Sequence, residues 1–185
     1  MSEYGKYTPD FDNEDECQEW LESFFEKKGW TAIREVSPHG ESVRADLIVR
    51  HEDHGWVGVE VKYLDSSDCG GAIGDAIQQV YNKYHGKKYI GNRINVWCVA
   101  PYYRVEHMSH HGQESRTRNF VNSFNLGYLS LGKSKLMMNF KANVGTDWRL
   151  FVGNAPSYPG NRDESVYSDY GEYEKIAAES AQPPI

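Results

Sequence analysis

The chain has three cysteines, Cys17, Cys69 and Cys98, and no two of them form a CxxC pair. Scattered and odd in number, they suggest neither a disulfide framework nor a zinc site, and buried free thiols are expected. No apolar run approaches the roughly 20 residues that a membrane helix needs. The opening stretch, MSEYGKYTPDFDNEDE, is acidic and lacks the basic-then-apolar order of a secretory signal. The expectation is a soluble, intracellular (cytoplasmic) protein with no membrane contact. No internal repeat is present.

Acid is scarce in one region only. The net charge is −7, but residues 83–141 hold 10 Lys/Arg against 2 Asp/Glu, whereas residues 1–82 hold 7 against 18. A basic middle inside an acidic protein is either an electrostatic footprint for a polyanion or a solvated surface that balances the acidic one. The overall acidity argues against a general nucleic-acid binder.

With 185 residues, 39% of them hydrophobic, the chain can bury a sizeable core. NEDECQEWLESFFEKKGW reads as a helix with one apolar stripe, Cys17, Trp20, Leu21, Phe24 and Phe25. Asp12 or Asn13 caps it and Gly29 stops it. Strands are expected at 31–36, 44–50 and 56–63, a second helix over 72–86, and a buried strand at 94–101. A polar loop with helical potential near 113–124 follows, then strand-like pieces at 126–132, 135–141 and 147–153. This order predicts an α/β fold with a central mixed sheet flanked by helices, over residues 1–153. Residues 154–185, rich in Pro, Ser, Gly, Tyr and acids, read as a tail.

Two of these strands carry unexpected charge: RADLIVR and GWVGVEVKY. Side chains alternate across a strand, so Val57, Val59 and Val61 share one face while Trp56, Gly58, Glu60 and Lys62 share the other. A hairpin turn at His51–Gly55 pairs Arg50 with Trp56, Asp46 with Glu60 and Arg44 with Lys62. Two carboxylates about 5 Å apart destabilise a hairpin unless something compensates. A protonated carboxyl, a salt-bridge lattice with Lys62 and Arg44, or a divalent cation between the carboxylates would each do so. His51 and His54 read as solvent residues of the turn, and Trp56 as the tryptophan nearest the charged face. His107, His110 and His111 fit no zinc spacing and read as part of a polar loop.

Asp46 in ADLIV and Glu60-Val61-Lys62 in VEVKY resemble the signature of the PD-(D/E)XK nuclease superfamily. The surroundings resemble it too: FFEKKGW before the pair, GDAIQQVY after it, then NVWCVAP and FNLGYLSLG, over roughly residues 14–132. The similarity is greatest to the branch of archaeal Holliday-junction resolvases and Mrr-like restriction nucleases. The resemblance implies an αβββαβ core and Mg²⁺-dependent hydrolysis of DNA, with Mn²⁺ as a substitute metal. It implies that Asp46, Glu60 and the Val61 carbonyl hold the metal and that Lys62 positions the attacking water. Lys87, Lys88, Arg93, Arg116 and Arg118 are the basic-segment candidates for backbone phosphates of duplex or branched DNA. A symmetric dimer is the assembly that the resemblance implies, although no dimer face is apparent.

Three departures stand out. Ala45-Asp46 replaces the family's frequent Pro-Asp. The first-helix acid, about eleven residues before the glycine, is here Gln18, with Glu14 and Glu22 one turn away. A related branch has Gln-x-x-x-Tyr on the second helix; Gln78 is carried over, yet neither Gln78 nor Gln79 has a tyrosine four residues on. The alternative function is a catalytically inactive nuclease-fold protein that binds nucleic acid or acts as an assembly or regulatory module.

Overall fold

Asn13 opens the first helix, α1 (Glu14–Lys27), by accepting a hydrogen bond from the Glu16 amide at 2.9 Å. Acids in its first turn and Lys27 in its last complement the helix dipole, and Gly29, at φ +87°, stops it. The computed structural model describes residues 9, 11–65, 69–104, 111–129, 131, 135–141 and 147–154. The expected tail therefore lies outside the described residues except for Asn154, as do His107 and His110.

Three antiparallel strands follow, β1 (Thr31–Val36), β2 (Ala45–His51) and β3 (Gly55–Leu64). Helix α2 (Cys69–Gln79) ends in a π-helical turn, Val80–Tyr84. A two-stranded ribbon, β4 (Lys88–Tyr89) and β5 (Asn92–Arg93), precedes β6 (Trp97–Tyr103), which pairs parallel with β3. Then come α3 (His111–Ser123), β7 (Gly127–Leu129), β8 (Lys135–Lys141) and β9 (Asp147–Asn154). The main sheet has seven strands in the order β1-β2-β3-β6-β7-β8-β9. The fold is thus α/β, with a mixed sheet and helices against it, in the expected order of elements. Among the described residues no helix is long and apolar enough to cross a membrane.

Both faces of the sheet are covered. On one, Leu47, Val49, Val57, Val59 and Val61 pack with Cys17, Leu21, Phe24 and Phe25 of α1. On the other, Ile48, Trp97 and Val99 pack with Ile73, Ala76, Ile77, Val80 and Tyr84. Gly58, paired with Trp97 in the parallel register, makes that second layer possible. A Cβ at Gly58 would lie 2.3 Å from the Trp97 ring.

Several boundaries differ from the sequence reading. The buried run 94–101 enters the sheet only at Trp97, because Ile94 pairs its amide with the Lys87 carbonyl to close the ribbon instead. The ribbon was not expected, since two-residue strands give no periodicity to read.

Candidate active site

Strand pairing brings the charged residues together. β2 pairs with β3 at His51↔Gly55, Arg50↔Trp56, Val49↔Val57, Ile48↔Gly58 and Leu47↔Val59, the register the hairpin turn predicted. One step further, Asp46 faces β3 with its side chain. Its Oδ2 accepts a hydrogen bond from the Val61 amide at 2.8 Å. On its other side, the β1 register passes from Arg34↔Leu47 to Val36↔Ala45 and skips Glu35, whose φ is +51°. Asp46 therefore stands where the β2 ladder gives way on both flanks, which frees its carboxylate to turn toward β3.

Glu60 is 0% exposed. Lys62 Nζ lies 3.0 Å from Glu60 Oε1, a buried ion pair, and the Asp46 carboxyl is the other group that Glu60 meets. Burial first, and then the Asp46 charge, pushes the Glu60 carboxyl up to about 8. Asp46 is also raised, again chiefly by burial, although the Val61 amide pulls it back. For Lys62, burial favours the neutral amine, but the Glu60 carboxylate outweighs it and the ammonium is held above its ordinary range. Two carboxyls and one ammonium thus share a desolvated site, and every added proton or cation there is felt strongly.

The charged face is therefore not an exposed face of a hairpin. A salt-bridge lattice with Arg44 is ruled out as well: Arg44 pairs with Glu35 at 3.4 Å, in an exposed position. Trp56, half-buried, packs at the margin of the second layer and lies under the Arg50 guanidinium, 5.9 Å from its ring centroid. His51 and His54 are not free solvent residues either. His54 stacks on Trp30 with ring centroids 5.8 Å apart, and His51 stacks on His54 at 4.7 Å while meeting Trp30 at a tilt, 5.0 Å away.

Helix α1 brings an acid to the same place. The Tyr63 amide donates to Glu14 Oε2 at 3.3 Å, at the end of β3 that carries Glu60 and Lys62, and the Glu14 charge raises both Asp46 and Lys62. Gln18, one turn on, is buried and its amide oxygen faces Arg34 Nη2 at 3.4 Å. Arg34 also meets Asp15, Glu19 and Glu22, so Gln18 belongs to the seam between α1 and β1.

From α2, Gln78 is exposed, whereas Gln79 Nε2 donates to the Tyr84 hydroxyl at 2.9 Å. That hydroxyl donates in turn to the Arg44 carbonyl at 2.7 Å, two residues from Asp46. The spacing of five comes from the π-helical turn: the His85 amide bonds the Val80 carbonyl at 2.8 Å, an i→i+5 bond that brings residues five apart onto one face. Gln79-x-x-x-x-Tyr84 was legible in the sequence only to a reader who allowed that extra residue.

The basic candidates separate. Lys87 pairs with Glu41 at 2.6 Å, Lys88 and Arg93 lie opposite each other on the ribbon, Arg116 is exposed on α3, and Arg118 is half-buried. No protein-family model matches the chain, and no curated protein or solved structure was found to be similar to it.

Among the described residues no group of three His, Cys, Asp or Glu side chains forms a metal-holding cluster. A cation at this site would rest on two carboxylates and backbone oxygen. That donor set, completed by water, suits Mg²⁺ better than a softer metal.

Proposed function

We propose that the protein is an intracellular metal-dependent DNA endonuclease of the PD-(D/E)XK type, hydrolysing phosphodiester bonds in duplex or branched DNA. One observation carries this reading: Glu60 is fully buried beside a second carboxyl, Asp46, with the Lys62 ammonium 3.0 Å from its Oε1. Buried charge of that kind is costly unless a cation or a function compensates. The hard carboxylate oxygens fit Mg²⁺, with Asp46, Glu60 and the Val61 carbonyl as its holders and Mn²⁺ as a substitute. Bound there, the ion would polarise a phosphate and lower the pKa of water.

The chain's own residues do the rest. The Val61 amide fixes Asp46 in one orientation. The acids around Lys62, Glu60 with Glu14 and Asp46, together outweigh burial and favour its ammonium form. Against a scissile phosphate, the Lys62 ammonium supplies a positive charge where charge develops and orients the attacking water. Glu14 is the α1 acid best placed to assist, and the Gln79–Tyr84 pair holds the backbone ahead of Asp46. Lys88 and Arg116 are the exposed cations for flanking phosphates, with Arg93, whose Nη1 donates to the Gly86 carbonyl at 2.7 Å, Lys87 and Arg118 beside them.

Asp46→Ala and Lys62→Ala are each expected to lower Mg²⁺-dependent cleavage by at least about 100-fold, with circular dichroism unchanged. Wild-type-like cleavage by either purified variant sinks the assignment. The second reading, a nuclease-fold protein that binds nucleic acid or acts as an assembly module without cutting, draws on the neutral Gln18 at the expected acid position. A panel of linear duplex, single strand, flap and four-way junction in Mg²⁺, Mn²⁺ and EDTA separates the two.

A further inference from the structure

The β4–β5 ribbon takes no part in the proposed chemistry, yet it holds a strained residue in an exposed place. Its strands pair Lys88 with Arg93 and Tyr89 with Asn92, leaving Ile90 and Gly91 as a two-residue turn. Both turn residues have positive φ, +50° and +78°. A turn of that kind matches the twist of a ribbon and favours Asn-Gly, because it needs residues that tolerate the left-handed region. A β-branched residue tolerates it worst. Ile90 is nevertheless there and is 55% exposed, so no burial repays the strain.

The mount beneath the tip is rigid. Tyr89 is fully buried, its ring 5.6 Å from Trp97 and its hydroxyl donating to the Tyr84 carbonyl at 3.2 Å. The Gly86 and Ile94 amides extend the ladder downward at 2.8 and 3.0 Å. The His39 amide bonds the Lys88 carbonyl at 2.9 Å, and Glu41 pairs with Lys87, so the ribbon is tied to the segment that leads into Asp46. The ribbon itself carries only positive charge: Lys88 and Arg93 are exposed and no Asp or Glu occurs in the sequence between Asp75 and Glu106, while Glu41 from the neighbouring segment is engaged by Lys87.

We propose that Ile90 is a wedge that enters DNA where base stacking is interrupted, at a nick, flap or branch, while Lys88 and Arg93 hold the adjacent phosphates. The inference rests on the nucleic-acid reading above and narrows its substrate to discontinuous duplexes. Apolar side chains inserted between base steps must unstack them, and that cost is least where stacking is already broken.

The test uses the full chain in EDTA, so that binding is read without cleavage. Wild-type protein is expected to bind a nicked or branched duplex about tenfold more tightly than an intact one, and Ile90→Asn to lose that preference. 2-Aminopurine at the branch brightens on binding wild type and Ile90→Phe, but not Ile90→Asn. Ile90→Asn also melts at a higher temperature than wild type, since Asn tolerates the turn, which shows that it is folded. Lys88→Ala and Arg93→Ala weaken binding to all duplexes alike and each reduce the salt slope by about one.

An Ile90→Asn protein that keeps both the preference and the 2-aminopurine signal overturns the wedge. So does a wild type that binds all DNA equally or none. Wild-type self-association abolished by Ile90→Asn with DNA preference unchanged also overturns it, in favour of a contact between copies. Discrimination without cleavage in Mg²⁺ leaves the wedge and removes the endonuclease reading; cleavage with no effect of Ile90→Asn does the reverse.

Discussion

The two faces of β3 are made by one strand and are both covered, yet they differ in kind. Toward α1 the strand presents Val57, Val59 and Val61, all buried in an apolar layer. Toward α2 it presents Gly58, Glu60 and Lys62, with Glu60 as deeply buried as any of the valines. Each buried valine stabilises the fold by about 1.5–3 kcal/mol. Glu60 in its charged form does the opposite, because burial and the neighbouring Asp46 disfavour that form more than Lys62 supports it. The first face is what stability alone would produce. The second keeps a buried ionisable group of the kind whose replacement by a hydrophobic residue is often neutral or stabilising, which is why it bears on the proposed function.

The largest effect should come from filling the gap that the second face depends on. Gly58→Val places carbon where the Trp97 ring already lies, within 2.3–2.5 Å of a Cβ at this position. That ring is buried and packed against Tyr84 and Tyr89, so it cannot give way cheaply. We expect at least about 3 kcal/mol of destabilisation, read as a lower urea midpoint or as insoluble expression. A Gly58→Val protein of wild-type stability would mean that the α2 layer is much looser than its packing indicates.

Next in size is the pH dependence of Glu60. Its folded value, about 8, stands above its ordinary 4.5. A carboxyl raised in this way contributes stability that is full below about pH 4.5 and is lost as pH climbs toward 8, because only the unfolded chain gives up the proton freely in that window. Asp46 is raised too and acts in the same direction. Lys62 is raised above 10.5, so its contribution fades only in strong alkali and cancels nothing here. From pH 5 to pH 8 the wild type should lose on the order of a few kcal/mol relative to Glu60→Gln, whose profile should be flatter. Mg²⁺ at pH 8 should raise the melting temperature of the wild type and not that of Glu60→Gln. Parallel pH profiles for the two proteins would show that Glu60 stays ionised in the fold.

The hairpin register was legible because two short strands, a five-residue turn and a period of two leave few alternatives; the expected Arg50↔Trp56 pair is the one observed. Burial of the charged face was not legible from the hairpin itself. Trp56-Gly58-Glu60-Lys62 reads like any solvated face, and what covers it, Ile73, Ala76, Ile77, Val80 and Tyr84, lies in an element that forms separately. Arg44 was expected opposite Lys62, but β2 begins only at Ala45 and the Arg44 side chain meets Glu35, whose left-handed backbone no pattern announces. Periodicity placed Gln18 and Glu14 on similar flanks of α1 but could not give height along the axis. Height decides that Glu14 reaches the Tyr63 amide while Gln18 meets Arg34. Gln79 and Tyr84 were hidden for a related reason, since five residues bring two side chains together only through a π-helical turn.

That turn gives the smallest of these effects and the sharpest division between the two faces. Tyr84 stacks on Trp97 at 5.5 Å, and its hydroxyl links Gln79 to the Arg44 carbonyl. Tyr84→Phe keeps the ring and removes the link, which should cost about 1 kcal/mol, or about 2–4 °C in melting temperature for a chain of this size. The shape of the pH profile separates two roles for the link. If the hydroxyl only anchors backbone, the loss is the same at pH 5 and pH 8. If it holds Asp46 against Glu60, loosening it lets the carboxyls part, the Glu60 value falls toward its ordinary range, and the decline between pH 5 and pH 8 becomes shallower. Because Arg44 lies two residues from Asp46, just ahead of the first residue of the strand, the second outcome is the one expected.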